Sequence, residues 1–152
     1  MHTDTLRNTL RRILGERLDD LNLACEMMMF RFGRYALHAQ CLTRILMHGD
    51  ILTTTFDYQN WDEINDRNND EWHFVHRHKP DIIGSTVVSV DVSPCKDLTI
   101  SLDNGTTIQL FISNGCNHYT EETEQWVFFQ QDDHSSPYIT VYNKTVDITT
   151  EW

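Results

Sequence analysis

Hydrophobic residues change their spacing once along this chain, near residue 20, and the change predicts a helix followed by strands. Leu6, Leu10, Ile13, Leu14 and Leu18 fall at i, i+4, i+7, i+8 and i+12, one stripe of an amphipathic helix. Asp4 near the start, with Arg7, Arg11 and Arg12 on other faces, suits a surface helix over about residues 4–18. Gly15 weakens that helix locally, and Asp19-Asp20 is its expected end. From Leu23 the period becomes two. Leu23, Cys25, Met27 and Met29 alternate with Ala24, Glu26, Met28 and Phe30, as a strand with at least one buried face requires. Gly33 is the expected turn, and Tyr35, Leu37, Ala39 and Cys41 alternate after it.

Further on, Ile51 to Tyr58 is rich in threonine and aromatics and reads as β. The stretch QNWDEINDRNNDE, from Gln59 to Glu71, has no apolar period and many turn formers, so a long exposed loop is expected. Ile82 to Val92 reads as one strand. Leu98–Leu102 and Thr107–Ile112 flank Asp103-Asn104-Gly105, where Asn-Gly predicts a tight hairpin with positive φ at both turn positions. Gln125–Gln130, Tyr138–Tyr142 and Val146–Thr150 supply the last strands. No repeat or linker interrupts the pattern. The expected fold is α+β: one domain over 1–152, a helix at about 4–18, then a predominantly antiparallel β region at about 22–150 forming a sandwich or half-barrel.

A chain of 152 residues can bury a core without staples, so Cys25, Cys41, Cys95 and Cys116 are expected as free thiols rather than disulfides. No CxxC pair exists to hold zinc or run redox chemistry. The first seventeen residues are polar and include four arginines, with no apolar run of an export signal, which predicts a cytoplasmic protein. Without export, the N-x-T sequons at Asn104 and Asn143 carry no meaning. No apolar run approaches the roughly 18 residues of a membrane span.

Charge narrows the partners. Twelve basic against 23 acidic side chains give −11. Residues 1–34 hold six arginines and five acids, while residues 35–152 hold six basic and eighteen acidic side chains, net −12. Such a surface repels a phosphate backbone and attracts a basic protein, so no nucleic-acid partner is expected.

Three patterns bear on chemistry. His73, His76 and His78 form H-x-x-H-x-H beside Asp70 and Glu71, a set of residue types that suits zinc or iron. The spacing matches no metalloenzyme signature, and a metal-binding protein or small enzyme centred on these histidines is the alternative to a binding module. Cys41 with His38, and Cys116 with His118, can be drawn as nucleophile and base, yet neither cysteine opens a helix and nothing orients the base. No phosphate-binding glycine loop and no G-x-S-x-G elbow occurs. The expectation is a protein without catalytic residues, resident metal or cofactor.

Two acidic–aromatic clusters remain as candidate partner-binding surfaces. The first holds Asp57, Tyr58, Trp61, Asp62, Glu63, Asp66, Asp70 and Glu71, opposed only by Arg67; the second holds Tyr119, Glu121, Glu122 and Glu124. Aromatic side chains give contact area at low entropic cost, and carboxylates around them meet cations on a partner. Trp126, inside a strand, is expected in the core.

Three segments also carry a resemblance. Arg34-Tyr35-Ala36-Leu37-His38-Ala39-Gln40-Cys41 with Arg44-Ile45, the Asp103-Asn104-Gly105 hairpin, and Glu124-Gln125-Trp126-Val127-Phe128-Phe129 resemble a family of small bacterial immunity proteins found beside polymorphic toxins, including contact-dependent growth-inhibition systems. The resemblance spans roughly residues 30–130 and includes no catalytic motif. It implies a cytosolic antidote that binds and blocks the C-terminal domain of a cognate toxin, often a basic nuclease. It further implies that Tyr35, His38, Gln40 and the Trp126 segment maintain the fold while the toxin-facing loops vary. A homodimer formed through an exposed β edge is a further possibility.

Overall fold

Helix α1 (His2–Leu10) carries only the first half of the predicted helical stripe. The computed structural model describes residues 2–24, 27–59, 64, 77–113 and 122–150. After α1 the chain tightens into a 3-10 turn, Arg11–Ile13, and Leu14 becomes extended. Gly15 then takes φ 82, a left-handed conformation that glycine adopts without Cβ strain. Leu6, Leu10 and Ile13 are fully buried as the periodicity requires, whereas Leu14 is exposed. The helix predicted over 4–18 is therefore too long. Leu18 is buried as the first residue of a strand, because one apolar residue can satisfy both periods.

That strand, β1 (Leu18–Ala24), contains Asp19 and Asp20, which were expected to end the helix. A register shift between Leu18 and Asp20 accommodates them. Asp19 Oδ2 accepts the Gly33 N–H at 3.0 Å, and Asp20 Oδ1 accepts Lys79 Nζ at 2.8 Å. The β region thus begins at 18, not 22. The single run expected from Leu23 to Phe30 belongs to two strands, since β2 (Met27–Phe32) folds back antiparallel on β1 with Ala24 opposite Met27. β3 (Tyr35–Ala39) follows the turn at Gly33, φ 63.

Two antiparallel sheets result. The first joins β1, β2, β3, β9 (Glu124–Gln130), β10 (Tyr138–Tyr142) and β11 (Val146–Thr149) in that order. The second runs β5 (Asp50–Thr54), β4 (Leu42–Met47), β8 (Thr106–Phe111), β7 (Leu98–Leu102), β6 (Val87–Val92). Their inner faces share one buried cluster that includes Phe30, Phe32, Leu37, Ile100, Ile108, Trp126 and Phe128, with Leu6 and Leu10 of α1 and Ile13 of the 3-10 turn added at the β6 side. The architecture is α+β and sandwich-like, not a closed barrel. No helix among the described residues is long and apolar enough to cross a membrane.

Three further expectations are corrected. Ile51–Tyr58 is not one β segment: β5 ends at Thr54 and a short helix α2 (Thr55–Gln59) follows. Thr54 Oγ1 accepts the Phe56 N–H at 3.1 Å while Asp57 Oδ2 accepts the Thr54 N–H at 2.9 Å, a reciprocal capping box that starts a helix. Ile82–Val92 is not one strand either. Pro80 lies in the first turn of helix α3 (Lys79–Ile82), Gly84 takes φ 94, and β6 begins only at Val87. The hairpin at Asp103-Asn104-Gly105 forms, but only Gly105 has positive φ, 85. Gly105 N–H bonds Leu102 O at 3.4 Å, so the loop is a three-residue turn with glycine in the left-handed position.

One corner of the sandwich is closed by backbone hydrogen bonds. Leu18 N–H donates to Ser85 O, Gly84 N–H to Leu18 O, Gly15 N–H to Val87 O and Val87 N–H to Glu16 O, all within 2.8–3.0 Å. An isolated bridge pairs Arg17 with Thr86. The two sheets therefore share an edge between β1 and β6, and partner strands have no open backbone there.

Candidate binding site

The opposite corner is built around one buried glutamine. Gln125, 2% exposed, accepts the N–H groups of Gln40 (2.8 Å) and Cys41 (3.0 Å) on its backbone carbonyl. Its side-chain Oε1 accepts the Ser113 N–H at 3.1 Å, and Nε2 donates to Thr123 O at 3.2 Å. One residue of β9 thus fixes the passage from β3 to β4, the end of β8 and the approach to β9. Sequence reasoning placed Gln125 in a strand and gave it no further role. Only the identity of the unpaired backbone groups around it would have shown the need.

Helix α2 is pinned to the same corner. Thr55 Oγ1 accepts the Thr43 N–H at 2.8 Å and donates to Thr43 O at 3.2 Å; both threonines are buried. Between these walls lies a cavity of about 250 Å³ lined by Gln40, Cys41, Leu42, Thr55, Phe56 and Ser113. Phe56 stands on the rim with 65% of its surface exposed, an uncommon state for a phenylalanine.

Both acidic–aromatic clusters begin or end beside this cavity. Asp57 follows Phe56 directly, and its carboxylate caps α2 as described above. Glu124 accepts a hydrogen bond from Gln40 Nε2, and Glu122 accepts one from Thr145 Oγ1. All three carboxylates meet neutral donors. Among the described residues, ion pairs form elsewhere: Arg7 with Asp4 and Asp91, and Lys79 with Asp20. The Glu124 charge also acts with burial to hold the Tyr138 phenol above its ordinary value, burial being the larger cause. Tyr58 closes α2. Trp61, Asp62, Glu63, Asp66, Asp70, Glu71, Tyr119 and Glu121 lie outside the described residues, as does most of the loop expected from Gln59 to Glu71.

The candidate chemistries can be placed in part. Burial pushes the Cys41 thiol up to about 12, so it is neutral at physiological pH and cannot act as a thiolate nucleophile. Cys95 is free and exposed, with its Sγ 3.2 Å from Ser93 Oγ. His38 lies edge-on to Phe129 at 5.2 Å, and burial holds its imidazole below the usual value. Tyr35 stacks on Phe128 at 5.6 Å, and Trp126 is fully buried with Nε1 donating to Lys96 O at 3.1 Å. Gln40, by contrast, is exposed and faces the cavity.

His78 precedes α3; burial first, and Arg77 second, hold it below its ordinary value against the pull of Asp57 and Asp81. His73, His76, Cys25, Cys116 and His118 lie outside the described residues, and among the described residues no group of three metal-ligating side chains gathers. The sequon amides tie distant segments together: Asn104 Nδ2 donates to Asp81 O at 3.1 Å, and Asn143 Oδ1 accepts the Thr123 N–H at 2.9 Å. Compared with known proteins, the chain matches no family model, no curated protein and no solved structure.

Proposed function

We propose that this protein is an immunity protein, a binding module that neutralises a cognate bacterial toxin domain with a basic surface, such as a nuclease, through its acidic open corner. The observation that carries the reading is the pairing of Phe56, 65% exposed on a cavity rim, with the carboxylates of Asp57 and Glu124, which accept hydrogen bonds from the Thr54 N–H and Gln40 Nε2 and form no Lys or Arg ion pair among the described residues. An exposed ring beside unneutralised acids is the composition of a docking face for a cationic partner. The net charge of −11 adds long-range steering toward such a partner. The cytoplasm is the compartment in which this antidote would act.

The test is co-production of the chain with the toxic C-terminal domain encoded beside its gene. Wild-type chain restores growth and binds the purified domain in calorimetry, while Glu122→Lys with Glu124→Lys lowers affinity without lowering the melting temperature. Association slows as salt rises, because exposed charges are screened beyond about 10 Å at 0.1 M, and dissociation changes less. Absence of binding, or association indifferent to salt, would refute the reading.

A further inference from the structure

We propose that the cavity beside Phe56 receives the guanidinium group of an arginine on the partner's surface; this deepens the reading above and rests on it. Three features select that group. The first is the ring of Phe56, whose exposed face can hold a planar cation within about 6 Å of its centroid. Elsewhere in this protein the same contact already exists, with the Arg44 guanidinium 5.0 Å from the Phe111 ring.

The second feature is the polar lining. Thr55 uses its hydroxyl twice on Thr43, and Cys41 is a buried neutral thiol. Gln40 and Ser113 are the remaining polar side chains of the lining, and both are exposed. Gln40 Nε2 is committed to Glu124, which leaves Oε1 as an acceptor. A carboxylate behind the amide polarises it, so that Oε1 becomes a stronger acceptor for a donor carrying positive charge. The third feature is charge. Glu124 has no cationic partner among the described residues, and an anion such as phosphate would be repelled. Leu42 in the lining offers apolar contact to the methylene stem of arginine, and about 250 Å³ is room for one such side chain and not for a folded element.

The probe is Nα-acetyl-arginine amide, titrated into the full chain at constant ionic strength set by sodium chloride. The readouts are the Gln40 side-chain amide and the Phe56 ring protons by NMR. The arginine probe is expected to shift both signals saturably, whereas the neutral citrulline analogue leaves them in place. Phe56→Leu and Glu124→Gln should each weaken the response about threefold. Equal shifts with the citrulline or lysine analogue, or a response unchanged in both variants, would overturn the assignment. The comparison of probes uses wild-type chain, so it holds even if a variant folds poorly. A chain that protects against the toxin domain yet ignores arginine ends this inference and leaves the immunity reading standing. A chain that binds arginine and gives no protection does the reverse.

Discussion

The two corners of the sandwich use their polar groups in opposite ways. At the β1–β6 corner, backbone donors and acceptors of Gly15, Leu18, Gly84 and Val87 bond across the sheets, and charges are matched, Lys79 to Asp20 and Arg7 to Asp91. At the other corner Gln125 holds the backbone just as firmly, yet among the described residues no Lys or Arg ion pair forms there and a phenylalanine faces solvent. Both corners are rigidly built, so the difference lies in what each leaves unsatisfied. The first is completed by the chain itself; the second, on the function proposed above, is completed by a partner.

Substitutions can break that contrast, and the largest effect belongs to the closed corner. Leu18→Ala, at a residue with no exposed surface, should destabilise by about 2–5 kcal/mol in urea denaturation. Toxin affinity of the folded fraction should be unchanged. Next comes Gln125→Leu, which leaves the Ser113 N–H and the Thr123 carbonyl without their partner. The expected loss is about 1–3 kcal/mol, with faster amide exchange at Ser113. Here binding should suffer too, because the cavity walls lose their tie.

A smaller effect is expected at the Lys79–Asp20 pair. The Lys79 hydrogen bond, with others from Asn22 and Leu21, holds the Asp20 carboxyl below its ordinary 3.8 despite partial burial. A depressed carboxylate value stabilises the fold above pH 3.8 and loses that contribution as pH falls toward the folded value. Asp20→Asn should therefore cost about 1 kcal/mol at neutral pH and flatten that part of the acid limb. His38 gives a separate step: its imidazole, normally near 6.5, is held lower by burial, so stability declines as pH drops below 6.5. His38→Gln should remove that decline in thermal scans. The smallest change in stability, under about 0.5 kcal/mol, is expected for Phe56→Ala on the open rim; its loss should appear in affinity.

How far the sequence disclosed this picture depended on whether one period dominated a segment. β7 and β8 alternate cleanly, while β3, β9 and β10 carry runs of apolar and aromatic residues buried on both faces; all five were legible. β4 was not, because its inward face includes the polar Thr43 beside Ile45 while the apolar Leu42 and Leu46 sit half-buried on the opposite face, which erases the alternation. At Thr54-Thr55-Phe56-Asp57 the threonines suggested a strand, although T-x-x-D is also a capping-box signal and the helix won. Of the site, Asp57, Glu122 and Glu124 were found from charge. Phe56, Ser113 and Gln125 were not, since their roles arise only when β3–β4, α2 and β9 meet.

The central claim, that the open corner is the docking face, is tested most directly by hydrogen–deuterium exchange of the full chain with and without the toxin domain that the proposed function requires. Binding should slow exchange at residues 40–42, 54–57, 113 and 122–124, and leave residues 15–18 and 84–87 unchanged. Protection confined to the β1–β6 corner would contradict the account.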